Sequence, residues 1–298
     1  MRARIVLIAL AALVFLGSFL ARHFLDREDR TAPAGPPQRL VSLSPSTTET
    51  LFALGLGDRV VGVSRYCKTP PEAQTRTVVG GYLDPNYEAV LALQPDLVLL
   101  RGDNEQYVAA FDRLGLRTLV VHQESVEGIN QSILAIGEAC GAADEARRLA
   151  ADLREQFRLL KEKTAGRPKP RALLVIDRSH RTGQIQNAFV AGGKGLLNEL
   201  IVLAGGENAC PPMPAINPVV SLEGILSMKP EVVIELTAVA QEAGLQPEEV
   251  LADWRPLRDI PAVRNGRVHV LSDNFVPGPR IAALAGKLAR LFHPDAFP

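Results

Sequence analysis

The 298-residue sequence predicts an α/β fold: two Rossmann-like lobes with mostly parallel sheets, joined by one long helix and preceded by an N-terminal hydrophobic segment. Three observations predict it. Short apolar strands alternate with helical patterns in both halves, a long amphipathic stretch divides the two series, and one phrase occurs once in each. Such alternation builds parallel sheets, because each crossover helix returns the chain to the next strand in the same direction.

Arg39 to Leu43 reads as the first strand. Ser44-Pro45 turns it into Ser46-Thr47-Thr48-Glu49, the spacing of a capping box in which serine and glutamate satisfy each other's backbone donors. The helix that follows carries Leu51, Phe52 and Leu54 on its apolar face and stops at Gly55 and Gly57, before a strand from Arg59 to Val63. Asp84-Pro85 opens the next helix, through Leu93; Pro95 ends it, and Leu97 to Leu100 is a buried strand. A helix near Gln106 to Leu114 then leads into a strand at Thr118 to Val121.

From Ala142 to Thr164 the period changes. Leu149, Leu153, Phe157 and Leu160 share one face, with Arg147, Glu155 and Lys161 among the charged positions, so the stretch reads as one helix of about 35 Å. Gly166 to Pro170 ends it, and Arg171 to Ile176 begins the second strand-helix series. A helix of that length between two α/β series acts as a strut that permits little hinge bending. The resulting organisation is a signal or anchor segment with spacer over residues 1–38, an N-terminal lobe over 39–141, a connecting helix over 142–166 and a C-terminal lobe over 167–298.

The repeated phrase pairs Tyr87-Glu88-Ala-Val-Leu-Ala-Leu-Gln-Pro95 with Leu222-Glu223-Gly-Ile-Leu-Ser-Met-Lys-Pro230, and an apolar run follows each proline. Two weaker echoes keep the same order: Glu49 to Gly55 with Glu199 to Gly205, and Arg117 to Val121 with Arg267 to Leu271. Both halves therefore adopt one fold. Related lobes facing each other leave a cleft at the carboxyl ends of their strands, where ligands of open α/β sheets bind.

Composition narrows the function. Lysine plus arginine equals aspartate plus glutamate, 33 each, with no basic run in the folded part, which gives nucleic-acid binding no support. Aromatics make up only 5%, so the core is aliphatic. Arg2 and Arg4, an uncharged run over residues 5–21 and the charged stretch 22–30 form an export signal. At about 1.5 Å per residue the run spans roughly 25 Å against a hydrocarbon core of about 30 Å, so cleavage and retention as an inner-membrane anchor both stay open. Cys67, Cys140 and Cys210 leave at least one thiol unpaired and match no metal-ligand spacing; they read as small core residues.

No nucleophile elbow GxSxG, no HExxH and no GxGxxG after a strand occurs, and Ala191-Gly192-Gly193-Lys194-Gly195 fails the phosphate-loop spacing. The chain is read as a binding protein, not an enzyme. Of its five histidines, only His180, in the polar loop from Asp177 to Gly183, is a candidate for the cleft.

At Arg39 to Glu49, Val61-Gly62-Val63-Ser64-Arg65-Tyr66, Pro70-Pro71, Gly80-Gly81-Tyr82 and the phrase ending at Pro95, the sequence resembles the cobalamin and ferric-siderophore binding proteins of ABC importers. The resemblance covers nearly everything after Gln38 and implies two lobes joined by one long helix. It implies a receptor that hands its ligand to a permease dimer with its ATPase, and that Glu88 and Glu223 dock into arginine pockets of the permease. The bland alternative is that each glutamate complements a helix N-terminus.

Cobalamin-type members line the cleft with tryptophans, and the matching positions here hold Tyr82, Leu100, Asn217 and Asn274. Tyr66 and Tyr82 offer flat faces to a chelate ring, and Arg101 offers a cation to its oxygens. With His180, Asn217, Asp273 and Asn274 these complete the expected ligand set. No cofactor of the protein's own is implied; the ligand itself is a cobalt corrinoid or a ferric chelate. A ferric siderophore or haem suits the same cleft, and a chelatase-like enzyme or a membrane-anchored sensor on this scaffold are the readings from other classes.

Overall fold

A computed structural model describes residues 35–180, 183–237, 244–272 and 275–297. In the first lobe, β1 (Leu40–Ser42), β2 (Val60–Val63), β3 (Thr77–Val78), β4 (Leu97–Arg101) and β5 (Thr118–Val121) form a sheet in the order β3-β2-β1-β4-β5. Every pairing in it is parallel. β1 and most of β4 are buried, as expected of unbroken apolar runs in a sheet covered on both faces.

The second lobe contains β6 (Arg171–Arg178), β7 (Asn187–Val190), β8 (Glu207–Asn208), β9 (Val219–Ser221), β10 (Val232–Leu236) and β11 (Val268–Leu271). Their order is β11-β10-β6-β7-β9, with β8 also pairing β6. β11, β10, β6 and β8 pair in parallel, whereas β7 runs antiparallel to β6 and β9. The reversal has a local cause: β6 ends at Arg178 and β7 begins at Asn187, too few residues for a crossover helix, and so short a link joins antiparallel neighbours.

The helices are α1 (Pro45–Ala53), α2 (Tyr87–Ala92), α3 (Val108–Arg113), α4 (Val126–Cys140), α5 (Ala143–Thr164), α6 (Gly195–Leu203), α7 (Leu222–Met228), α8 (Pro247–Trp254), α9 (Pro261–Arg264) and α10 (Ile281–Phe292). The 22-residue α5 lies between the two sheets in the chain and buries Ala146, Ala150, Leu153, Phe157 and Leu160. That stripe belongs to one apolar cluster with Leu40 of β1, Leu174 of β6 and Leu288 of α10. Full burial of each leucine or phenylalanine is worth about 1.5 to 3 kcal/mol, so the strut is bound to both lobes along its length.

The internal repeat holds at atomic detail. α2-β4-β5 and α7-β10-β11 are equivalent, and Gln94 (φ 46°) and Lys229 (φ 48°) are the non-glycine residues with positive φ among those described. Each stands before the proline of the phrase and turns helix into strand. Asp96 accepts from the backbone N–H of Arg39 at 2.9 Å, and Glu231 from that of Arg171 at 2.8 Å. The Arg39 guanidinium donates to the Leu93 carbonyl at 2.7 Å and Arg171 to the Met228 carbonyl at 3.0 Å, closing equivalent helix ends.

Local readings of the sequence need four corrections. Ser44, not Ser46, caps α1, accepting from the Thr47 N–H at 3.3 Å, and Glu49 points away from the cap. The helix expected from Asp84 begins at Tyr87 behind the cap Asn86, because residues 80–85 close a tight turn first. Residues 102–107 form a 3-10 turn ahead of α3. Finally, α4 precedes the strut as a separate helix, ended by Gly141 at φ 71°.

Candidate functional site

The loop after β3 presents Tyr82. Gly80 adopts φ 101°, where a side chain is strained, and a Cβ there would sit 2.6 Å from the backbone of Asp84 and Asn86. Arg65 spans the turn with a 2.9 Å ion pair to Asp84 and donates its N–H to the Gly80 carbonyl at 2.9 Å. Buried Asn104 donates to the Tyr82 carbonyl at 2.8 Å, and the Tyr107 hydroxyl donates to the Leu83 carbonyl. The loop is therefore held from both sides.

Arg101 ends β4, and its guanidinium carbon lies 5.9 Å from the centroid of the Tyr82 ring, within cation-π range. It also pairs with Asp103 at 3.4 Å. The Tyr82 hydroxyl and the Arg101 Nε are buried without a hydrogen-bond partner. Burial, and after it the Asp103 carboxylate, pushes the Tyr82 phenol above its usual range, so it stays protonated at any physiological pH. Tyr66, 53% exposed, stands in the loop after β2 beneath Arg65.

Tyr66, Leu83, Tyr82, Asp84 and Arg101 line one side of a cavity of about 370 Å³, together with Pro45 and Ser46 at the start of α1. Phe275, Val276 and Pro277 of the second lobe line the other. The walls are mainly apolar with a few polar atoms converging, the character of a small-molecule cleft.

The expected ligand set divides accordingly. Tyr66, Tyr82 and Arg101 meet at the inter-lobe cavity. Leu100, outside that set but matching a cleft tryptophan of the cobalamin-type members, is fully buried in the core beside Val41, Leu43, Val98 and Phe111. Strand alternation turns its neighbour Arg101 outward instead. Asn217 is half-buried in the loop before β9 and is not part of the cavity wall. Asp273 and Asn274 lie outside the described residues.

His180 turns into its own lobe, with Nδ1 3.5 Å from Glu235 Oε1. Burial and then the Arg178 charge lower its pKa, so the ring is neutral above the ordinary value of 6.5. The sequence reading missed Pro45, Ser46 and Phe275 to Pro277. Only the proximity of Phe275 to Asp273 and Asn274 in the chain hinted at the last group.

Glu88 and Glu223 are exposed in the first turns of α2 and α7. Asn86 caps α2 by accepting from the Ala89 N–H at 3.0 Å, and Ser221 caps α7 by accepting from the Gly224 N–H at 3.3 Å. The backbone N–H of Glu223, and then the Ser221 hydroxyl, hold its carboxyl below the ordinary range. Cys67, Cys140 and Cys210 are unlinked and buried, and burial raises each thiol pKa. Among the described residues no group of three or more His, Cys, Asp or Glu is placed to hold a metal ion.

Residues 40–274 match the family described as periplasmic binding protein, a span that takes in both sheets and the strut. The chain belongs to the periplasmic binding protein family. Among periplasmic binding proteins it is 33% identical over 233 residues to the vitamin B12-binding protein of Photorhabdus laumondii, covering 76% of this chain and 77% of the relative. It is 27% identical to the vitamin B12-binding protein of Vibrio campbellii, over 84% and 87% of the two chains.

Solved structures agree in fold. The vitamin B12 binding protein BtuF of Vibrio cholerae superposes with a TM-score of 0.73 at 24% identity, over 88% of this chain and 99% of that one. The heme-binding protein RhuT of Roseiflexus sp. RS-1 gives 0.73 at 26%, over 87% and 99%. BhuT in complex with two hemes gives 0.75 at 25%, over the same shares. Among the described residues no helix is long and apolar enough to cross a membrane, and the 5–21 run lies outside them.

Proposed function

We propose that this periplasmic binding protein is the extracytoplasmic receptor of an ABC importer, which captures a corrinoid between its lobes and delivers it to a permease dimer driven by its ATPase. One observation carries the reading: the inter-lobe cavity sets the Tyr82 and Tyr66 rings and the Arg101 guanidinium against an apolar wall at Phe275 to Pro277. A flat chelate stacks on Tyr82, and the unpaired Arg101 Nε meets an amide, carboxylate or phosphate oxygen at its edge. The protein carries out no covalent step; its work is binding and delivery.

Glu88 and Glu223 are the docking points, one per lobe, for cationic pockets of the permease. Their support is their equivalence in the repeat and their exposure at matching helix starts. The N-terminal run exports the chain, and retention of residues 5–21 would tether it at the inner membrane.

A ferric siderophore or haem is the second reading, favoured by the Tyr82 hydroxyl with no partner, a group able to face iron. The corrinoid ranks first on overall resemblance, the relatives that match being vitamin B12-binding proteins. Titration of the purified protein with cyanocobalamin, cobinamide, haem and a ferric siderophore tests the assignment. Tightest binding to the corrinoids is expected. Saturable binding of haem or siderophore with none of either corrinoid would overturn it.

A further inference from the structure

Glu49 leaves its helix cap for a partner in the other lobe. Its carboxylate, almost fully buried, accepts from Arg280 twice, from Nε at 3.0 Å and from Nη2 at 2.6 Å. Arg280 is the residue before α10, and five residues ahead of it the chain forms the second lobe's wall of the ligand cavity, Phe275 to Pro277. The link between wall and arginine is short and closed. The Gly278 N–H donates to the Val276 carbonyl at 2.8 Å, and the Ile281 N–H to the Gly278 carbonyl at 3.0 Å.

Gly278 also lies over Ser46, where a Cβ would stand 3.6 Å from the Ser46 Cα, and Ser46 lines the same cavity from α1. One helix thus contributes a cavity residue at its first turn and, one turn later, the carboxylate that holds the opposite wall. The pair also lines a second cavity of about 600 Å³ that shares no wall residue with the first, and Arg280 is 58% exposed. Water reaches the arginine from that side, so the bond is able to open.

The repeat supplies a counterpart of different chemistry. Glu199 of α6 stands where Glu49 stands in α1, and it accepts from the backbone N–H of Val126 at 2.8 Å, the first residue of α4. α4 and α10 are themselves equivalent, each following the last strand of its lobe's sheet. Each lobe therefore sends one carboxylate to the start of the other lobe's helix, Glu49 to the Arg280 guanidinium and Glu199 to the Val126 backbone N–H, a donor that the helix itself leaves unpaired. Only the Glu49 contact is joined to a cavity wall.

We infer that Glu49 is a positioning residue for the ligand cavity, holding the Phe275 to Pro277 wall through Arg280, while Glu199 keeps the lobes joined when that clasp opens. The inference rests on reading the Tyr82 cavity as the ligand site.

The test is a double-mutant cycle of Glu49→Gln, Arg280→Gln and their combination, with Arg280→Lys as the conservative variant. Hydrogen exchange over residues 276–283 is read without ligand, and cyanocobalamin release by stopped flow. Each single variant is expected to speed both by about tenfold, the usual scale of one coupled charge pair. The double variant is expected to be no worse than either single one, and Arg280→Lys to recover part of the loss. Unchanged exchange in Arg280→Gln, or single effects that simply add, would overturn the inference. So would faster exchange with unaltered release. If wild-type protein binds no cyanocobalamin, the corrinoid reading fails, and the exchange cycle still decides whether the clasp exists.

Discussion

Replacing Arg178 by methionine probes the charge cluster beneath the second lobe's cleft face. The Arg178 side chain has no exposed surface; Nε lies 2.9 Å from Glu235 Oε1 and Nη1 2.7 Å from Asp253 Oδ2. Glu235 also accepts from the Trp254 indole N–H at 2.6 Å. Methionine fills much of the space but leaves two buried carboxylates facing each other. Removal of one partner from a buried pair costs about 3 to 5 kcal/mol. In a chain of this size that lowers the melting temperature by roughly 5 to 10 °C.

The pH dependence has a definite sign. Burial raises the Glu235 pKa above its ordinary 4.5, and Arg178 opposes the rise. A raised folded pKa contributes stability fully below the unfolded value and loses it as pH climbs through the folded one. Without Arg178 the folded value climbs further, so the Arg178→Met penalty is expected to be larger at pH 8 than at pH 5. Urea unfolding followed through Trp254, the single tryptophan in the chain, reads the cluster directly. A loss below about 1 kcal/mol at pH 8, or a loss equal at both pH values, would refute the reasoning.

Tyr82→Ala should raise the dissociation constant for cyanocobalamin about tenfold by calorimetry and Tyr82→Phe should change it little, since stacking and not the hydroxyl is invoked. An unaltered affinity in Tyr82→Ala would remove the main contact. Glu88→Ala combined with Glu223→Ala should cut uptake in a reconstituted importer while ligand affinity holds. Normal uptake, or lost binding, would return both residues to helix capping or to the cleft. Gly80→Ala should destabilise by about 1 to 3 kcal/mol in thermal melts, because the added Cβ meets backbone atoms at 2.6 Å; no change would mean that the turn relaxes freely.

Where contacts are local in the chain, much of the architecture was legible. Alternation located the parallel strands, and the span of α5 was placed to within a residue because its apolar stripe repeats over six turns. The repeated phrase paired Glu88 with Glu223, and the equivalence extends to Gln94 and Lys229 at the same backbone angle. Arg101 ends β4, and Tyr82 follows β3 in the turn that Gly80-Gly81 announces. Leu100, which matches a cleft tryptophan of the cobalamin-type members, belongs to the core.

What the sequence by itself determined is therefore the set of elements, their order and their duplication, since hydrophobic period and turn chemistry act over a few residues. The tertiary structure decided which residues from distant parts of the chain meet. The Ser46 to Glu49 spacing reads as a capping box until Ser44 is found as the cap and Glu49 is seen bonded to Arg280, 231 residues away. Only the fold brings Glu235 beside His180, and nothing local places Phe275 opposite Tyr82. Such pairings depend on how two sheets and a shared core come to rest against one strut, and that is set by the sum of all packing contacts rather than by any one segment.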